Sequence, residues 1–183
     1  MWGVYGCTSC GNLILARGDT DQAGGVVAAV YPAAKSVAKE LPGDPKRFLA
    51  DAITCLHAPS AAILCCASAV DAMLKLKGYE EGKLYSRINA AVNGGLLTKE
   101  MGTWAHHIRL EANEQRHADK DAKPPTREDA ELSIEFAEAL GEFLFVLPSR
   151  VTRGIKRAQV IHPEGIPSTS AVGTPTVTQT DPP

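Results

Sequence analysis

A chain of 183 residues is long enough for one domain with its own core plus appendages. Its 44% hydrophobic and 22% charged content is that of an ordinary globular protein, and abundant alanine with only 5% aromatic residues favours helices over a β-sandwich. Lysine and arginine number 19 against 21 acids, so a net charge of −2 supplies no global positive field, and nucleic acid could be held only by a local patch.

Residues 1 to 17 read as a β-hairpin, in which "WGVYG" and "NLILA" are strand-like runs joined by the turn chemistry of "CTSCG". The run "GGVVAAVYP" predicts a third strand that Pro32 ends, and a connector follows from 33 to 43. Asp44 and Pro45 suit the cap and first position of a helix carrying Phe48, Leu49, Ala52, Ile53 and Leu56 at helical spacing. After the interruption "HAPS", a second helix is expected from about 59 to 77, with Ile63, Cys66, Val70 and Leu74 inward and Gly78 at its end. A third, shorter helix is expected over about 81 to 92, stopping at "NGG".

Thr98 can cap a fourth helix with Met101, Trp104, Ile108 and Ala112 as its apolar stripe, running to His117 or just beyond. Thr126 with Asp129 forms a capping box for a fifth. Leu132, Phe136, Leu140, Phe143 and Leu147 are expected on the buried face of that helix, with Pro148 stopping it. A basic segment, "SRVTRGIKRAQV", comes next. The Pro-, Ser- and Thr-rich tail then has too little apolar surface to offset its ordering entropy and reads as disordered. The expected organisation is a hairpin region at 1–32, a helical bundle at 33–158 and a disordered tail at 159–183.

The N-terminus lacks the pattern of a secretory leader, and the apolar runs fall short of the ~20 residues that span a bilayer. An odd number of cysteines, five, with two of them adjacent, does not make a disulfide framework. A reducing cytoplasm and no membrane partner are therefore expected. Cys7 and Cys10 form a C-x-x-C on the hairpin turn, the shape of one zinc knuckle. Structural zinc takes four ligands and no second C-x-x-C exists, so the metal site is incomplete within one chain and no cofactor is expected.

Steps of four residues advance about 40° around a helix, so Arg109, Asn113 and His117 form a slanted line beside the apolar stripe of the fourth helix. Their chemistry suits a phosphodiester. Arginine offers a planar fork of donors to phosphate, histidine exchanges a proton near neutrality, and asparagine orients either group. The line has a plain structural reading as well: His117 and Asn113 would satisfy the helix end, and Arg109 would pair with Glu111 or an acid of the fifth helix. Both readings stand on the sequence alone.

The segments "SAVDAMLKLKGY", "LYSRI", "WAHHIRLEANEQRHAD" and "AEALGEFLFVLP" resemble a bacterial and phage family of unknown function, domain family 4145, placed in the HEPN clan of helical RNA- and nucleotide-associated domains. The resemblance spans roughly residues 1 to 150. It implies a mainly α, HEPN-like bundle of about five helices after a small β-hairpin that is half a zinc ribbon, with Cys7 and Cys10 matching its second knuckle. It also implies a homodimer and, for the catalytic members, metal-independent RNA cleavage by an Arg and a His to a cyclic phosphate, in toxins or phage defence. Two departures stand out. Seven residues separate Arg109 from His117, where four to six are usual, and the arginine that many members carry in the second helix is not matched beside Asp71. The sequence thus offers two functions: an RNA-cleaving or RNA-binding effector using Arg109, Asn113 and His117, or a non-catalytic dimerising module that binds a protein or nucleotide partner.

Overall fold

The computed structural model describes residues 1–6, 13–18, 26–32, 36–117 and 123–161, the side chains of Arg116 and His117 excepted. The chain divides into two compact units, Met1–Pro148 and Ser149–Pro183.

The N-terminal strands β1 (Trp2–Gly6), β2 (Leu13–Gly18) and β3 (Val27–Tyr31) form an antiparallel sheet in that order. The hairpin and the third strand both form where the strand-like runs predict them. Trp2 pairs with Arg17, whose guanidinium lies over the indole at 5.8 Å. Only Ala16 of the sheet is buried, so this element contributes little to the core.

Among the described residues six helices make the protein mainly α: α1 (Gly43–Thr54), α2 (Pro59–Leu76), α3 (Leu84–Asn93), α4 (Lys99–His117), α5 (Arg127–Gly141) and α6 (Leu147–Ile161). The interruption between α1 and α2 is a tight 3-10 turn, Cys55–His57. α2 is the axis of the bundle and packs on α1, α3, α4 and α5. By length and composition it could cross a membrane. Its apolar character already has an explanation, because Ala62, Ile63, Cys66, Ala67, Ala69, Val70, Met73 and Leu74 are buried among the other helices. The four inward residues expected from its periodicity are all in this set. Burying one side chain of the size of Ile63 contributes roughly 1.5–3 kcal/mol.

The caps decide where the later helices begin. Thr98 accepts a hydrogen bond from the backbone N–H of Met101 (3.2 Å), and Thr126 with Asp129 closes the expected capping box. The first helix departs from expectation. It starts at Gly43 behind Pro42, and the Asp44 carboxylate accepts from Arg47 (3.1 Å) instead of capping. α3 begins later than its pattern suggested, after Gly82 turns the chain at φ +73°.

Two expectations for α5 are corrected. Leu132, Phe143 and Leu147 are half exposed, while Ala130, Ser133, Ile134, Phe136, Ala137 and Leu140 form the buried face. Gly141 closes this face, where an added Cβ would lie 2.7 Å from Leu41 Cδ1. Nor does Pro148 stop the helix. A π turn over Glu142–Val146 intervenes, with the Leu147 N–H bonded back to the Glu142 carbonyl, and α6 continues through Pro148. The wider turn accommodates a residue that lacks an N–H and crowds the preceding turn.

Candidate functional site

A cleft of about 630 Å³ opens between the first turn of α1, the middle of α2, the start of α3 and the second half of α4. Its size is that of a small-molecule or nucleotide pocket. Arg109 and Asn113 both line it. Two of the three residues singled out by the sequence are thus brought together on one wall. His117 is the last residue of α4, and its side chain lies outside the described residues. From Arg109 to His117 the helix rises about 12 Å along its axis.

The cations of the cleft fall into two groups. Asp71 on α2 accepts from Arg87 of α3 at 2.6 Å and pairs with Lys75 one turn along at 2.7 Å. Arg87 also donates through Nε and Nη2 to the Glu80 carbonyl, at 3.0 and 2.8 Å. These three hydrogen bonds employ Arg87 as a strut that ties the start of α3 to α2. Lys83 and Arg109, by contrast, have no acidic partner among the described residues.

Arg109 is held in an unusual way. Its guanidinium lies 5.3 Å from the centre of the Tyr85 ring, and its Nε is buried with no hydrogen-bond partner among the described residues. A buried donor without an acceptor is costly to the free protein. The alternative of pairing with Glu111 does not occur. Glu111 instead engages His107 at 3.1 Å and accepts from the buried Ser133 hydroxyl at 3.2 Å.

Tyr85 also packs against His106, ring centres 4.9 Å apart. The His106 Nε2 sits 3.1 Å from the Asn89 amide oxygen, which can only accept, so Nε2 carries the hydrogen. Nδ1 then presents a bare lone pair, buried and unpartnered among the described residues. Burial first, and the Arg109 charge second, pull the His106 pKa below its ordinary value. Nothing in the one-dimensional pattern singles out Tyr85, Lys83 or the contact of Arg87 with Asp71. Asp71 enters the sequence reading only as the acid beside which the family's arginine is not matched.

Cys7 and Cys10 lie outside the described residues, and no cluster of three or more potential metal ligands occurs among the described ones. Cys55, Cys65 and Cys66 lie in or beside α2. Cys66 is buried in α2, where desolvation pushes its thiol up to about 12, and burial likewise raises Cys65. Such groups stay protonated near neutrality, whereas zinc binds the thiolate.

The model of a family described as a domain of unknown function, DUF4145, matches residues 50–158. That span takes in α2 to α5, most of α6 and the cleft wall formed by Arg109 and Asn113. No curated protein and no solved structure matches the chain.

Proposed function

We propose, from the premise that the chain belongs to the DUF4145 family, that it is an RNA-directed protein of the HEPN kind whose cleft grips a phosphodiester. One observation carries this reading: Arg109 stands in the cleft with Tyr85 behind it, no acid neutralising it among the described residues, and a buried Nε lacking an acceptor. A phosphate oxygen is the natural acceptor for such a fork. Lys83 adds a second cation and Asn113 a neutral donor and acceptor on the same walls.

Cleavage extends the same reading. His117 would take the proton of a ribose 2′-hydroxyl, whose oxygen attacks phosphorus while the bond to the 5′ oxygen breaks. The 5′ oxygen takes up a proton, leaving a cyclic phosphate and a 5′-hydroxyl. Arg109 would hold the charge on phosphorus and Asn113 would orient the groups. The nucleophile is internal to RNA, so this route requires no metal. The protein would then serve as an effector of the toxin or phage-defence type, acting as a homodimer.

The second reading is a binding module without chemistry, directed to a nucleotide or protein partner. It is favoured by the residues that meet in the cleft, because Arg109 and Asn113 recognise but do not exchange protons near neutrality, and by the about 12 Å rise to His117.

The test uses the purified chain with its Arg109→Ala and His117→Ala variants, incubated with RNA in EDTA. Cleavage that both substitutions abolish establishes the ribonuclease. Binding without cleavage, lost only in Arg109→Ala, establishes an RNA-binding effector. A well-folded chain that neither binds nor cuts RNA overturns the RNA reading in favour of a protein-binding module.

A further inference from the structure

α6 carries a surface that the cleft does not use. At 100° per residue, Leu147, Val151, Ile155 and Ala158 fall within an arc of about 80°. Arg150, Arg153, Lys156 and Arg157 occupy the opposite side, and the helix contains no acidic residue. None of its residues is buried; Val151 is 52% and Ile155 40% exposed. Val160 and Ile161, in the last turn, stand off the stripe.

We infer that α6 docks on an anionic membrane surface, lying in its plane with the apolar stripe at the acyl boundary and the four cations among the headgroups. A helix that lies on a bilayer needs no spanning length, so the shortness of the apolar runs does not bear on it. Three features fit: four apolar residues gathered on one side, charged residues that are all basic, and low overall hydropathy. Other occupants account for less. An RNA backbone would satisfy the cations and leave the apolar stripe in water. A second copy would find a face of about 22 Å by 10 Å, on the order of 200 Å², where a stable interface takes about 800 Å² from each partner. A lipid surface has no such minimum area, and each cation near it strengthens binding about fivefold.

The experiment is co-sedimentation of the full chain with phosphatidylcholine vesicles, with and without phosphatidylserine. The chain should bind the phosphatidylserine vesicles and not the neutral ones. Lys156→Gln with Arg157→Gln should weaken binding about 25-fold. Val151→Ser with Ile155→Ser leaves every charge in place and should weaken it about tenfold or more. Both pairs are exposed, so circular dichroism should match the parent chain. Failure to bind phosphatidylserine vesicles overturns the inference, as does undiminished binding by Val151→Ser/Ile155→Ser, which would make the contact purely electrostatic. Capture of single-stranded RNA that depends on Lys156 and Arg157 but not on the stripe, with vesicles ignored, would make α6 a nucleic-acid track instead. A halved mass in solution for Val151→Ser/Ile155→Ser would assign the stripe to a second copy and equally overturn membrane docking.

Discussion

Replacing Arg109 with alanine separates a binding role from a structural one. In the free protein the guanidinium contributes a cation–π contact with Tyr85 at 5.3 Å, worth about 0.5–1 kcal/mol. Against this stands its buried Nε without an acceptor, a cost of about 1–3 kcal/mol. Alanine removes both, so the balance runs from neutral to a gain of about 2 kcal/mol. The urea midpoint should therefore stay or rise. RNA affinity should fall, since charge-assisted hydrogen bonds to phosphate contribute about 1.5–3 kcal/mol, or roughly ten- to hundredfold in Kd. Arg109→Lys keeps the charge but not the planar fork and should bind with intermediate strength. Urea titration and filter binding on the same preparations give both numbers. A stability loss above about 1 kcal/mol with unchanged RNA affinity would refute the argument and make Arg109 a structural residue.

Further outcomes follow from the same geometry. The folded-state pKa of His106 lies below its unfolded value near 6.5, so between the two the unfolded chain binds more protons. Stability is then complete above about pH 6.5 and falls as the pH drops through that window. His106→Gln should flatten this dependence in urea titrations, and Arg109→Ala should raise the His106 pKa seen by NMR. A Cβ on Gly102 would lie 2.5 Å from Val92 Cγ2, so Gly102→Ala should cost about 1–3 kcal/mol, and added Val92→Ala should recover much of it. If only Lys83 and Arg109 neutralise phosphates in the cleft, its share of the log-affinity slope against log salt should be about −1.4. A drop of about −2.8 on mutating the cleft cations would mean that Lys75 and Arg87 leave Asp71 to join them.

Helix existence and the inward face of α2 were legible because long periodic segments fix them, and the caps at Thr98 and Thr126 because a hydroxyl at that position has one local use. The errors have specific causes. Pro148 reads as a stop only if the helix keeps its ordinary pitch, and the π turn before it does not. Helical spacing puts Leu132 and Phe143 on one side with Phe136 and Leu140, but the buried arc of α5 is centred on Ser133, Ala137 and Ala130 and leaves Leu132 and Phe143 at its rim. At the site, the line of Arg109 and Asn113 could be read from a single helix, since its geometry is local. Tyr85, Arg87 and Asp71 could not, because their placement depends on how α3 meets α2 and α4. No one-dimensional spacing encodes that meeting.

The strut and the cleft are parts of one arrangement. Asp71 draws Arg87, Arg87 fixes the Glu80 carbonyl, and together they anchor the start of α3, on which Tyr85 sits. Gly102 permits α4 to approach α3 closely, which brings Arg109 and His106 against the Tyr85 ring. Half of the cleft's cationic side chains are consumed in building it, and on the proposed reading Lys83 and Arg109 would be the pair that meets an anion. The arginine missing from its usual place beside Asp71 has a counterpart here. Arg87 reaches the same carboxylate from the next helix, but as a member of the scaffold with its donors committed. A site so constructed recognises through one pre-placed guanidinium. On the proposed reading, its affinity for phosphate would be set by how firmly three helices hold Tyr85 and Arg109 together.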